Sequence, residues 1–199
     1  ILTFVTAPDY ETKSTYISTV TVSDGDNQTS QEITINVTNV NDIAPVISSS
    51  ATFSAAENQT AIGTVDATDE EGDDLTYSVT GSEIVISSTG ILSFVSAPDF
   101  ETKSTYTVTV TVSDGVNSAT QDITINVTNE NDIVPVISSP ATFSAAENQT
   151  TIGEVIATDA DGDDLTYSIS GSEISISSSG VLTFVSAPDY ETKTSYTAT

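Results

Sequence analysis

Thr105-Tyr106-Thr107-Val108-Thr109-Val110-Thr111-Val112-Ser113-Asp114-Gly115 decides how the rest of the chain is read. Tyr106, Val108, Val110 and Val112 alternate with Thr107, Thr109 and Thr111. A strand sends successive side chains to opposite faces, so this run has one apolar face and one β-branched polar face. Asp114-Gly115 then marks a turn, because Asp bonds nearby backbone and Gly accepts conformations other residues avoid. Ile123, Ile125 and Val127 resume the alternation, which predicts a second strand after the turn.

The same period spreads outward. Shorter alternations stand at Ile62–Ala67, at Leu75, Tyr77 and Val79, at Ile84 and Ile86, and at Leu92 and Phe94. Val46 to Ala55 supplies a first strand around Phe53. Gly72, Gly81, Gly90 and Ala97-Pro98 fall between these runs as turn signals. No helical apolar stripe is present. About seven short strands within one stretch of this length predict an all-β, Greek-key β-sandwich of immunoglobulin-like shape.

The sandwich is repeated. Phe4, Phe94 and Phe184 occupy the same phrase, 90 residues apart. Laying residues 1–109 over 91–199 gives 81 identities in 109 positions. A unit this long suits a small independent domain rather than a helical solenoid repeat. The expected division is 1–43 as the end of a first repeat with its linker, 44–133 as a whole repeat with its linker, and 134–199 as the start of a third. The linkers, Thr38-Asn39-Val40-Asn41-Asp42-Ile43-Ala44-Pro45 and Thr128-Asn129-Glu130-Asn131-Asp132-Ile133-Val134-Pro135, are short and carry Pro. They are not flexible Gly/Ser tethers. The ends read as cuts through a longer array.

Composition narrows the function. Among 199 residues there are 29 Asp plus Glu and 3 Lys plus Arg, for a net charge of −26, with no Cys, His, Trp or Met. Thiolate and imidazole metal sites are excluded, as are disulfides and His- or Cys-based nucleophile pairs. So acidic a chain repels a phosphate backbone and anionic lipid headgroups, so neither nucleic acid nor a membrane surface is expected as a partner. No stretch reaches the roughly 18 apolar residues of a membrane span. Paired carboxylates could serve a glycosidase, but their recurrence every 90 residues does not suit a single active site.

The acids recur at turns and strand ends. Glu57 and Glu147 stand in Ala-Ala-Glu-Asn. Asp9/Glu11, Asp99/Glu101 and Asp189/Glu191 follow Ala-Pro. Asp42 and Asp132 lie in the linkers, and Asp69/Glu71 and Asp159/Asp161 in an Asp-x-acid phrase. Asp24 and Asp114 lie in Ser-Asp-Gly. Hard cations such as calcium take about six to eight oxygens from carboxylates, amides and backbone carbonyls. Without such a cation, clustered acids with so few basic partners repel one another. Asp73, Asp74, Asp163, Asp164, Glu83 and Glu173 read as a solvated face, and Lys13, Lys103 and Lys193 as surface charges.

Taken in order, these phrases resemble an extracellular cadherin repeat of the bacterial cadherin-like sort. Glu57, Pro98-Asp99-Phe100-Glu101, Asn129-Glu130-Asn131-Asp132-Ile133, Asp159-Ala160-Asp161 and Val112-Ser113-Asp114 match the family's five motifs, and the likeness covers essentially the whole chain. The resemblance implies calcium ions between consecutive repeats. One cluster would use Glu57, Asp99, Glu101, Asn129, Asn131, Asp132, Asp159 and Asp161, with the carbonyls of Glu130 and Ile133. The other would use Asp9, Glu11, Asn39, Asn41, Asp42, Asp69, Glu71 and Asp114, with the carbonyl of Ile43. The chain departs from the pattern where Asn39 and Asn129 replace the first linker Asp, and where Glu71 is longer than the usual Asp.

The resemblance implies a calcium-stiffened rod of sandwiches, end to end, extracellular or at a cell surface. Its role would be adhesion or an extracellular filament, without enzyme activity. Its partners would be calcium and either copies of itself or a cell-surface protein. The alternative is a calcium-independent acidic stalk presenting a ligand-binding or catalytic module elsewhere in the chain. A polysaccharide-binding module is disfavoured by the lack of Trp and by aromatics at core positions.

Overall fold

A computed structural model describes all residues 1–199, and their regular structure is entirely strand. The chain divides into two compact units, Ile1–Pro98 with Ser104–Val127 and Asp99–Lys103 with Thr128–Thr199. No helix is long and apolar enough to cross a membrane.

The first unit holds β1 (Thr15–Ser23), β2 (Gln28–Asn36), β3 (Val46–Ile47), β4 (Thr52–Ala56), β5 (Ala61–Thr64), β6 (Ala67–Thr68), β7 (Thr76–Val79), β8 (Ile84–Ile86), β9 (Ile91–Phe94), β10 (Thr105–Ser113) and β11 (Ser118–Thr128). The Thr/Val run is β10. It pairs antiparallel with β11 from Thr105↔Asn126 to Ser113↔Ser118 and lies inside a sheet of order β4-β11-β10-β7. The alternation places Val110 and Val112, with Ile123 and Ile125 of β11, at no more than 1% exposure. A second sheet, β5-β9-β8, contributes Ile84, Leu92 and Phe94 to the buried set. The two sheets face each other, and Phe94 meets Tyr106 edge to face, ring centroids 5.0 Å apart. Such aromatic pairs add about 0.5–1.5 kcal/mol beyond the area they bury.

The seven expected runs between residues 44 and 133 become nine segments, β3 to β11. The Val46–Ala55 run splits into β3 and β4, and the Ile62–Ala67 run into β5 and β6. The β3 and β6 pieces pair with each other, apart from the three-stranded sheet that β5 joins. The turn into β9 needs glycine. Gly90 has φ +81, and a Cβ there would stand 2.3 Å from the Val65 carbonyl oxygen. The Gly90 carbonyl in turn accepts the Val65 N–H at 2.8 Å.

The second unit holds β12 (Val136–Ile137), β13 (Thr151–Glu154), β14 (Ala157–Thr158), β15 (Ile174–Ile176) and β16 (Val181–Phe184). Its β12-β14 and β13-β16-β15 sheets repeat β3-β6 and β5-β9-β8 in register, Ile174↔Phe184 answering Ile84↔Phe94. Phe184 and Tyr196 stack edge to face at 4.9 Å.

Candidate metal centre

In the first unit the linker that follows β2 folds against the loop that follows β6. The Glu71 carboxylate accepts the backbone N–H of Asp42 at 2.9 Å and of Ile43 at 2.8 Å, both on Oε2. Its other oxygen, Oε1, is enclosed and has no hydrogen-bond partner. Carboxylate oxygens of Glu11, Asp42 and Glu71 all lie within 4.8 Å of one another. One comes from the loop before β1, one from the linker and one from beyond β6. The Glu11 carboxyl is pushed above its usual range. Its own backbone N–H works the other way, but burial and the charges of Glu71 and Asp9 outweigh it.

The same loop carries a second group. Oxygens of Asp69, Glu71 and Asp73 lie within 4.8 Å of one another. Asp69 Oδ1 accepts the N–H of Glu71 at 2.9 Å and of Asp73 at 3.3 Å, so the chain wraps around it. Asp114, in the β10–β11 turn, accepts the N–H of Val116 at 2.7 Å and of Asn117 at 2.6 Å on Oδ1. The Asn117 amide then donates to the Asn41 side chain at 2.8 Å, tying that turn to the linker. Burial works to raise the Asp114 carboxyl, but the donors of Asn117 and Val116 outweigh it and hold it below the usual range. Asp73 is raised, first by burial and then by Asp69, Glu71, Asp114 and Asp74.

Four carboxylate oxygens of this unit, Asp69 Oδ2, Glu71 Oε1, Asp73 Oδ2 and Asp114 Oδ2, are enclosed without a hydrogen-bond partner. An enclosed anionic oxygen without a partner is unfavourable. Several of them together have a simple remedy in a hard divalent cation, for which carboxylate, amide and carbonyl oxygens are the fitting donors. The residues present therefore fit calcium.

The second unit repeats the design with Asp for Glu. Asp161 Oδ2 accepts the N–H of Asp132 at 3.1 Å and of Ile133 at 2.8 Å, and Oδ1 is enclosed and unpartnered. The Asn129 amide donates to the Asp161 carbonyl at 2.9 Å. Oxygens of Glu101, Asp132 and Asp161 lie within 4.8 Å of one another, as do those of Asp159, Asp161 and Asp163. A further group, Glu147, Asp189 and Glu191, unites the copies of Glu57, Asp99 and Glu101. Glu147 also accepts the Tyr190 N–H at 3.1 Å.

Of the residues singled out from sequence, Glu11, Asp42, Asp69 and Glu71 meet in the first unit, and Glu101, Asp132, Asp159 and Asp161 in the second. Asp9 and Asp99 lie outside these groups and close local turns on the Thr12 and Thr102 hydroxyls at 2.8 and 3.0 Å. Asn39, Glu130 and Asn131 are exposed in the linkers. Glu57 is buried to 3% exposure in the first unit. The sequence reads Asp73 and Asp163 as solvated surface, yet in the structure each sits within an acid group. The signal that finds them is their spacing of four from Asp69 and Asp159 across a Gly that turns the chain back. Lys193 pairs with Glu173 at 2.6 Å and covers the Tyr196 ring, so it neutralises none of the groups.

Residues 41–128 match the family described as Bacterial Ig domain. Chitinase A of Pseudoalteromonas piscicida is 38% identical over 125 residues, 62% of this chain and 15% of that protein. Cadherin EGF LAG seven-pass G-type receptor 1 of Mus musculus is 30% identical over 178 residues, 81% of this chain and 6% of that protein. The chain thus spans a small part of the relatives it matches. Mouse cadherin-23 EC22-24 superposes with a TM-score of 0.76 at 26% identity, covering 94% of this chain and 68% of that one. The chain has the all-β sandwich fold of tandem cadherin-like repeats.

Proposed function

We propose that this chain is a calcium-binding, cadherin-like array of the bacterial kind, acting outside the cell in adhesion or in an extracellular filament. The observation that carries the reading is the set of enclosed, unpartnered carboxylate oxygens at the first linker, in a protein of net charge −26. The proposed repeats are 1–43, 44–133 and 134–199. The proposed ligands are the two sets given above from the resemblance, with copies of the chain or a cell-surface protein as partners.

The division of labour within each carboxylate supports the reading. In Glu71 and Asp161 one oxygen is held by two linker N–H groups. The other is left facing its neighbours' charge. Bound calcium would supply the positive charge that Glu11, Asp42 and Glu71 lack. Their mutual repulsion tends to part the linker from the loops on either side, and neutralising it fixes the linker between them.

Small-angle scattering of the 199-residue chain, titrated with calcium and then chelator, tests this. A calcium-dependent, reversible lengthening and sharpening of the profile is expected. An unmoved profile together with a flat calorimetric titration would overturn it.

The second reading, a calcium-independent stalk carrying a module elsewhere, is favoured by one observation. The matched segment makes up only 15% of Chitinase A, so in that protein a similar segment accompanies much other chain. The flat titration would favour this reading.

A further inference from the structure

We propose that Asp73 is a direct carboxylate ligand of the calcium held by Asp69, Glu71 and Asp114, and sets that ion's affinity. The proposal rests on the calcium reading above and adds a residue that the sequence motifs do not supply.

Three observations carry it. First, an oxygen of Asp73 lies within 4.8 Å of oxygens of both Asp69 and Glu71, close enough for one cation to touch all three at ordinary calcium–oxygen distances of about 2.3–2.6 Å. Second, Asp73 Oδ2 is enclosed and has no hydrogen-bond partner, in the same condition as Asp69 Oδ2, Glu71 Oε1 and Asp114 Oδ2. A solvated surface acid would turn that oxygen to water. Its sequence neighbour Asp74 is exposed. Third, the backbone aims it: the Asp73 N–H donates to Asp69 Oδ1, and Gly72, at φ +82, turns the chain back between them. Asp163 takes the same place beside Asp159 and Asp161 in the other unit, so the arrangement is not an accident of one loop.

A fourth carboxylate changes what the site can do. Ligand charge count is a main determinant of calcium affinity. Asn39 carries no charge where the linker motif otherwise has Asp, and Asp73 adds one beside Asp69 and Glu71. The site is thereby set toward tighter binding than the linker motif alone would give.

The test is calorimetric calcium titration of the whole chain as wild type, Asp73→Asn, Asp73→Ser and Asp74→Asn, with melting curves in chelator to confirm folding. Asp73→Asn and Asp73→Ser are expected to weaken one class of sites by about tenfold or more, with melting in chelator unchanged or raised because a repelling charge is gone. Asp74→Asn should titrate as wild type. If wild type binds calcium and both Asp73 variants titrate like it, Asp73 is not a ligand and the calcium reading stands. An equal loss in Asp74→Asn would also overturn the inference, since general field strength would then explain it. If wild type itself binds no calcium, the calcium reading fails and the inference with it.

Discussion

The Glu71 carboxylate accepts the backbone N–H of Ile43 at 2.8 Å, so the loop after β6 grips the linker through one oxygen and offers the other to a cation. Glu71→Gln keeps an acceptor for the linker and removes the charge. Calcium affinity should fall by about tenfold, or about 1.4 kcal/mol, while melting in chelator changes little. Paired calcium titrations and melts check both halves of the expectation.

Leu92 is fully buried on β9, and its sheet packs on that of β10. Leu92→Ala removes buried methyl groups and leaves a cavity in a small core. Unfolding free energy should fall by about 2–5 kcal/mol, whether calcium is present or not. Urea denaturation with and without chelator measures it, and a loss seen only in calcium would contradict the assignment of Leu92 to the core.

Gly90→Ala places a methyl group 2.3 Å from the Val65 carbonyl oxygen at φ +81. Backbone strain alone costs about 1–2 kcal/mol, and the clash adds to it because the obstacle is backbone. A melting temperature lowered by several degrees is expected.

In chelator, stability should depend on pH in two opposed ways. Asp24 accepts the N–H of Asn27 at 2.8 Å and of Asp26 at 3.0 Å, bonds that hold its carboxyl below the ordinary 3.8. A depressed folded value gives stability that is present above the unfolded value and lost as pH falls through the folded one. Asp73 is raised by burial and by its acidic neighbours, so its contribution improves as pH falls through its folded value. Stability of the metal-free chain should therefore rise on mild acidification and collapse at stronger acid. Asp73→Asn should flatten the rise and Asp24→Asn the collapse, both read from urea midpoints across the acid range.

Much of this was legible in residues 105–127. A strict period of two has only one structural meaning, and β10 and β11 follow it. The broken edges were less legible: Val46–Ala55 reads as one strand around Phe53, and although Ser48-Ser49-Ser50 interrupts its apolar residues, nothing in the residue types shows that its two ends join different partners. The acid groups were visible as phrases. What those phrases could not show is which oxygen each carboxylate commits to backbone N–H groups and which it leaves free. Asp73 was hidden by its neighbour: an Asp-Asp pair reads as a charged surface, and which of the two turns inward shows only once the chain folds back at Gly72.

The β1–β2 and β10–β11 hairpins pair in the same register, Thr15↔Asn36 and Thr105↔Asn126, 90 residues apart. Recombination between the gene segments encoding two copies therefore joins strand to strand without a misfit. Residue 15 of one copy can continue as residue 105 of the next, and every partner it needs is still supplied. Loss or gain of a whole 90-residue step leaves each remaining sandwich intact, so the number of repeats is free to drift in a population. The number of repeats in such a protein is a trait that selection can adjust by counting rather than by redesign.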